Sequence, residues 1–194
     1  EYNKWSYRIT PDHNVTLPFT RMLAGPMDFT PGGFINCNPD QFKTGAPARV
    51  QGSRAHTLAQ YVIYDSPYLV SCDHPDNYEG EKGVDFLKEI VASWDDTKVL
   101  NGEIGEYITM ARRNDDRWFI GSMTNSEERT LTIKLKFLDK SVNYQLKVFK
   151  DAENTAKDAT ILEEENSFVT SSDFLEIKMV PGGGYAAILE PMKE

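Results

Sequence analysis

Cysteine is almost missing from this 194-residue chain, which carries only Cys37 and Cys72. Two thiols are too few for a disulfide framework, and they lack the spacing of a zinc site. Two free thiols are the leading reading and a single bridge is the other. Long apolar runs are missing as well. Tyr68-Leu69-Val70 is interrupted by Ser71 and Asp73, far short of the roughly 20 residues that a membrane-spanning helix needs. Positive charge is in deficit, with 21 Lys and Arg against 30 Asp and Glu and a formal net charge of −9. Such a chain repels polyphosphate and gains nothing from counterion release, so neither nucleic acid nor a membrane is expected as a partner. His13, His56 and His74 form no pair at helical ligand spacing, and each reads as a hydrogen-bonded structural histidine. Pro181-Gly182-Gly183-Gly184 lacks the lysine and the following helix of a phosphate loop, and reads as a turn before the last strand.

What is present falls into two periods. From Asn14 onward, Val15, Phe19, Met22 and Leu23 recur at helical spacing, with Asn14 as the expected cap, Pro18 in the first turn and Gly25 as the stop. Ser53 caps a second helix whose apolar stripe is Ala55, Leu58, Ala59 and Val62, ended by Asp65-Ser66-Pro67. Tyr68-Leu69-Val70-Ser71-Cys72 then reads as a short buried parallel strand with Asp73 at its carboxyl end. Residues 83–91 read as another amphipathic helix. Helix, strand, helix predicts an α/β layer, and a barrel strand would turn Asp73 toward substrate; the competing reading of Asp73 is a capping aspartate in a loop.

Past Trp94 the period becomes two, plainest in Leu131, Ile133, Leu135 and Phe137. Further strand signals lie at 106–111, 118–123, 144–149, 161–163, 168–170, 174–179 and 185–189. Seven or eight antiparallel strands in about a hundred residues predict a sandwich. The boundary is placed near Trp94, with Asp95-Asp96-Thr97 as a connector. The polar stretch 151–158 lacks the glycine and glutamate of a calcium loop and reads as solvated. Arg21 and Asp28 flank Gly25-Pro26-Met27-Asp28-Phe29-Thr30-Pro31-Gly32-Gly33, and an ion pair stiffening that loop is the leading account of them.

The segment Glu1-Tyr2-Asn3-Lys4-Trp5-Ser6, the run from His13 through Leu17-Pro18-Phe19-Thr20-Arg21 to Gly32, and Gly105-Glu106-Tyr107-Ile108-Thr109-Met110-Ala111-Arg112-Arg113 together resemble glycoside hydrolase family 97 over essentially the whole chain. Asp96 departs from the glutamate usual there. The resemblance implies an α-glycosidase with an amino-terminal β-sandwich, a (β/α)8 catalytic barrel and a carboxy-terminal antiparallel β-sandwich. On that view residues 1–94 are the end of the barrel, an α/β part, and residues 95–194 the all-β last domain. No methionine precedes Glu1 and no signal-like stretch follows it, so the chain is expected to be a carboxy-terminal fragment.

By motif position Glu1 matches the family's general acid, which also approaches a bound calcium. The other calcium-binding glutamates and the nucleophile or base belong upstream, so the isolated fragment is expected to be inactive. Asp28 and Asp73 are the candidate substrate-binding residues. The substrate implied is an oligosaccharide with terminal α-linked galactose or glucose. Phe29 and Asn3-Lys4-Trp5-Ser6 look closer to the retaining branch, which favours a retaining α-galactosidase over an inverting α-glucosidase. Family members are exported, which implies the periplasm. The rival class is a non-catalytic structural or carbohydrate-binding sandwich, with Trp118, Phe119 and Tyr185 as its platform if their faces are open to solvent. A transferase is the weaker rival.

Overall fold

The computed structural model describes residues 6–192. Helix α1 (Pro11–Thr16) starts at Thr10, whose hydroxyl accepts the His13 amide, and Pro11 takes a first-turn position where its missing N–H costs nothing. The helix expected from Asn14 to Leu23 is therefore displaced. It stops at Thr16 and gives way to 3-10 turns over Leu17–Phe19 and Arg21–Ala24. Pro18 has no N–H to give the Asn14 carbonyl four residues back, and the Tyr64 hydroxyl donates to that oxygen instead at 2.9 Å. The break is thus satisfied from another element.

Strands β1 (Asn36–Cys37) and β2 (Val50–Gln51) form a short parallel pair. Helix α2 (Arg54–Ile63) begins as expected at Ser53, which accepts the His56 amide at 3.1 Å, and it ends at Tyr64. It is not amphipathic in place, because every residue on its circumference is buried. One side lies on a β-sheet, and the other meets Asn14, Asn36 and Phe34. Residues 68–72 form no strand. With no neighbouring strand to complete a ladder, Tyr68 is 75% exposed and the Cys72 amide donates to the Pro31 carbonyl. The described residues before 94 thus hold only the two-residue strands β1 and β2, so the expected α/β barrel layer does not appear in them. Helix α3 (Val84–Glu89) follows left-handed Gly83 and buries Phe86 completely. No disulfide joins Cys37 and Cys72, both of which are buried.

The rest is β. Strands β3 (Asp96–Glu103), β4 (Tyr107–Asn114), β5 (Arg117–Thr124), β10 (Gly184–Pro191), β7 (Tyr144–Asp151) and β8 (Leu162–Val169) make an antiparallel six-stranded sheet in that order, and β6 (Arg129–Lys134) pairs β9 (Phe174–Met179) as a ribbon. Two departures from expectation concern its edges. Asp96 and Thr97 belong to β3 rather than to a connector, and the two short signals at 161–163 and 168–170 are one strand, β8. An edge strand buries little, so its side chains need not alternate.

Period two sorts the sheet's faces. Trp118, Ile120, Leu146, Val148, Tyr185 and Ala187 face the ribbon, where Ile133, Ile177 and Met179 meet them. Phe119, Phe149, Ala186 and Ile188 face α2 and α3 instead. The helix sits so close that a Cβ on Gly121 would lie 2.8 Å from the Ala59 carbonyl oxygen, and one on Gly184 would lie 2.4 Å from the His56 backbone. These two glycines set the helix-to-sheet distance. The turn that ends 151–158 is also less solvated than expected, since Asp151 and Thr155 are buried and the Thr155 hydroxyl holds the Ala152 amide and the Ile161 carbonyl.

Candidate functional site

The loop 25–33 is anchored by alternation. Met27 is buried and donates its amide to the Asp65 carbonyl, while Phe29 stacks edge-on against Tyr64 with 4.6 Å between centroids. Asp28, held between those two anchors, is exposed. The expected pair with Arg21 does not form, because the Arg21 guanidinium turns to the carbonyls of Gly25 and Pro26, each at 3.3 Å. A carboxylate left in water needs no partner, so nothing draws the arginine to it.

The same loop closes on residues 71–78. Gly32 has φ +94°, and a Cβ there would lie 2.2 Å from the Tyr61 hydroxyl, so only glycine fits. The Tyr78 hydroxyl donates to the Gly32 carbonyl at 2.6 Å and accepts the Asp73 amide at 3.0 Å; burial pushes its pKa up to about 12. Asp73 is half-buried and spends both oxygens on structure. Oδ2 accepts the Phe34 amide at 2.8 Å, and Oδ1 accepts the His74 amide at 2.8 Å and the Asn77 amide group at 2.7 Å. It joins two loops as a brace, the arrangement of the capping reading.

Three buried polar groups, none of them a site candidate from sequence, tie this region to the sheet. Arg54, at the start of α2, forms an ion pair with Glu81, donates to the Phe34 carbonyl at 2.7 Å and lies 4.5 Å from the Phe34 ring centroid. His56 contacts the Gly183 carbonyl through Nδ1 at 3.0 Å and the Asn14 side-chain amide through Nε2 at 3.1 Å. Those contacts suit the neutral ring with its proton on Nδ1, and burial lowers its pKa to about 4. Asp151 accepts the amides of Val180 and Gly184 on Oδ2, and burial raises its pKa to about 7 against the pull of Ser53 and those amides. A Cβ on Gly183 would sit 2.0 Å from Asp151, which gives Pro181-Gly182-Gly183-Gly184 its purpose as a turn wrapped around a carboxylate. His56 thus fits the expected hydrogen-bonded structural histidine, whereas His13 and His74 are exposed.

Glu1, the expected catalytic and calcium-binding residue, lies outside the described residues. Among the described residues no group of three or more His, Cys, Asp or Glu could hold a metal ion. The cavity between α1, the glycine loop and α2 is about 20 Å³, lined by Asn14, Gly32, Gly33, Gln51, Thr57 and Gln60, which is room for one water at most. No sugar fits there. The proposed aromatic platform is closed too: Trp118, Phe119 and Tyr185 are 5%, 0% and 3% exposed, so their rings are core and not a binding face. Sequence reasoning missed Arg54, His56 and Asp151 as organisers because each partner lies far along the chain. The only local signal was Ser53 as a cap beside Arg54.

Comparison with known proteins agrees with this architecture. Residues 93–190 match the family described as "Glycosyl-hydrolase 97 C-terminal, oligomerisation". The chain belongs to glycoside hydrolase family 97. It is 35% identical over 191 residues, 96% of its length, to a retaining alpha-galactosidase of Bacteroides thetaiotaomicron, and 32% identical over 181 residues to a probable retaining alpha-galactosidase of Streptomyces bingchenggensis. It spans 28% and 26% of those two relatives. Among solved structures, a family 97 enzyme of Pseudoalteromonas sp. strain K8 in complex with panose superposes with a TM-score of 0.87 at 33% identity, over 99% of this chain and 30% of that one.

Proposed function

We propose that this chain is the carboxy-terminal part of an exo-acting retaining α-galactosidase, and that its role is to brace and present a catalytic segment. The observation that carries the reading is the 35% identity to a retaining alpha-galactosidase along nearly the whole chain. The upstream part would supply the (β/α)8 barrel, the amino-terminal sandwich, the partner carboxylate and most of the calcium ligands. Residues 1–94 would join that barrel to the sandwich of residues 95–194, which would also bring copies together. Glu1 would be the general acid and a calcium ligand. Asp28 supports the substrate-binding reading better than Asp73, because its carboxylate is open while that of Asp73 is consumed by amide donors. A periplasmic location goes with this reading.

A second reading, an inverting α-glucosidase of the same family, is favoured by the likeness to the Pseudoalteromonas enzyme that holds panose. The test is turnover of aryl α-galactosides and α-glucosides by the complete enzyme, with the first-formed sugar followed by proton NMR. Retention releases α-galactose first, as expected of two carboxyl groups about 5 Å apart. Initial β-anomer, or preference for the glucoside, overturns the first reading. The 194-residue chain alone should show no turnover above a Glu1→Ala control, since one matched carboxylate cannot complete glycoside hydrolysis.

A further inference from the structure

Two turns meet at one end of the β6–β9 ribbon, where Lys134 pairs with Phe174. Both are fixed by aspartate caps. Asp139 accepts the amide and hydroxyl of Ser141 at 2.9 and 2.7 Å, and Asp173 accepts the amide and hydroxyl of Thr170 at 2.7 and 2.9 Å. The Leu135 amide also donates to the Asp173 carbonyl at 3.0 Å, which ties one turn to the other. Between them lies a groove of about 760 Å³ lined by Lys134, Lys136, Lys140, Ser172, Asp173 and Phe174, within the size of small-ligand sites.

Its lining gathers cations in one place. None of these three lysines has an ion-pair partner among the described residues; Lys147 of the same sandwich lacks one too, whereas Lys98, Lys150 and Lys178 each have at least one. Three unpaired ammonium groups thus converge in a chain of net charge −9. The overall negative charge does not cancel them locally, because exposed charges farther off than about 8–10 Å are screened at ordinary ionic strength. Beside them the Phe174 ring is 68% exposed and so open to a ligand.

We propose that this groove binds an acidic glycan, a chain of carboxylate-bearing sugars, at a place separate from catalysis. The ring offers a flat apolar face to the C–H face of a sugar, the lysines offer donors to its carboxylates, and Ser172 offers a hydroxyl to its hydroxyls. An anionic membrane would also welcome phenylalanine and lysine. A groove between two rigid turns, however, suits a narrow chain better than an extended surface. Turnover is not needed for this binding, so its test is independent of the galactosidase reading.

The experiment is affinity gel electrophoresis and calorimetry of the 194-residue chain with polygalacturonate, with neutral galactan and with phosphatidylserine vesicles as comparisons. Retardation by polygalacturonate alone is expected, weakened by about tenfold or more between 50 and 300 mM salt as the charges are screened. Replacing Lys134, Lys136 and Lys140 together by serine should abolish it. Phe174→Ala should weaken it by about 5- to 10-fold. Thermal melts of both variants should match the parent, since all four side chains are exposed. No binding of polygalacturonate, equal binding of the neutral glycan, or binding that survives the triple substitution overturns the proposal. Capture by vesicles without capture by the glycan also overturns it, and assigns the groove to a lipid surface.

Discussion

The two faces of the six-stranded sheet are held by different physics. Toward the β6–β9 ribbon the contact is aliphatic and aromatic, Ile120, Leu146 and Val148 against Ile133 and Ile177, and its polar groups are consumed in backbone ladders. Toward α2 the core also contains Arg54, His56, Asp151 and Arg112, each buried and each bonded to a distant backbone atom. A sheet face can be repacked with any residues of suitable volume, whereas a buried charge must find its own partner. The ribbon face should therefore tolerate conservative change, and the helix face should not.

The sharpest way to break this contrast is Arg54→Ala. It leaves the Phe34 carbonyl without its donor and removes the cation over the Phe34 ring, while Glu81 at 45% exposure turns to water, and a loss of about 2–3 kcal/mol in a denaturant melt is expected. Ile120→Val on the other face should cost only about 0.5–1.5 kcal/mol. If both substitutions cost the same, the distinction is void. Gly121→Ala tests the spacing of the helix face directly. The new methyl would meet the Ala59 carbonyl at 2.8 Å and Val62 at 2.9 Å, and overpacking should cost about 1–3 kcal/mol.

A smaller effect separates the faces by pH. Asp151 has a folded pKa of about 7, raised from 3.8, so its stabilisation is complete below about pH 4 and is lost as pH rises toward 7. His56 works oppositely, since its pKa is lowered from 6.5 to about 4 and its contribution disappears as pH falls through that window. Asp151→Asn should be more stable than the parent above pH 7, on the order of 1–2 kcal/mol, with the gap closing toward pH 4. A gap that stays constant from pH 4 to 8 would show that Asp151 does not titrate in that range.

Much of the ribbon side was legible in the residue pattern, because alternation reports a half-buried strand directly. Leu131, Ile133 and Leu135 face inward as their spacing requires, and the glycine-rich turn precedes β10 as expected. The edges were harder to read. Residues 163–166 are three glutamates and an asparagine, all exposed, so β8 carries no apolar rhythm at its centre. The helix face was least legible. Ser53 announced α2, but nothing near Arg54 in the sequence foretells Glu81, and nothing near Pro18 foretells Tyr64. Asp73 was recognised as a residue of interest, yet a sequence does not tell a carboxylate that waits for substrate from one already saturated by amides. Local pattern records burial, while function and bracing both depend on partners that only folding brings close.

The strand order has a consequence in time. Strand β10, the most carboxy-terminal of the ten, occupies the interior of the sheet between β5 and β7, and α2, more than 120 residues earlier, rests on it. Until residues 184–191 have left the ribosome, β5 and β7 have facing edges with nothing between them, and α2 has half its floor missing. Contacts of such long range form slowly. The nascent chain must carry the open edge of β5 while residues 125–183 are made, the condition in which chains pair with the wrong neighbour. Closure of this sandwich is accordingly a single late event, and a ribosome that stalls a few codons before β10 releases a sheet in two pieces.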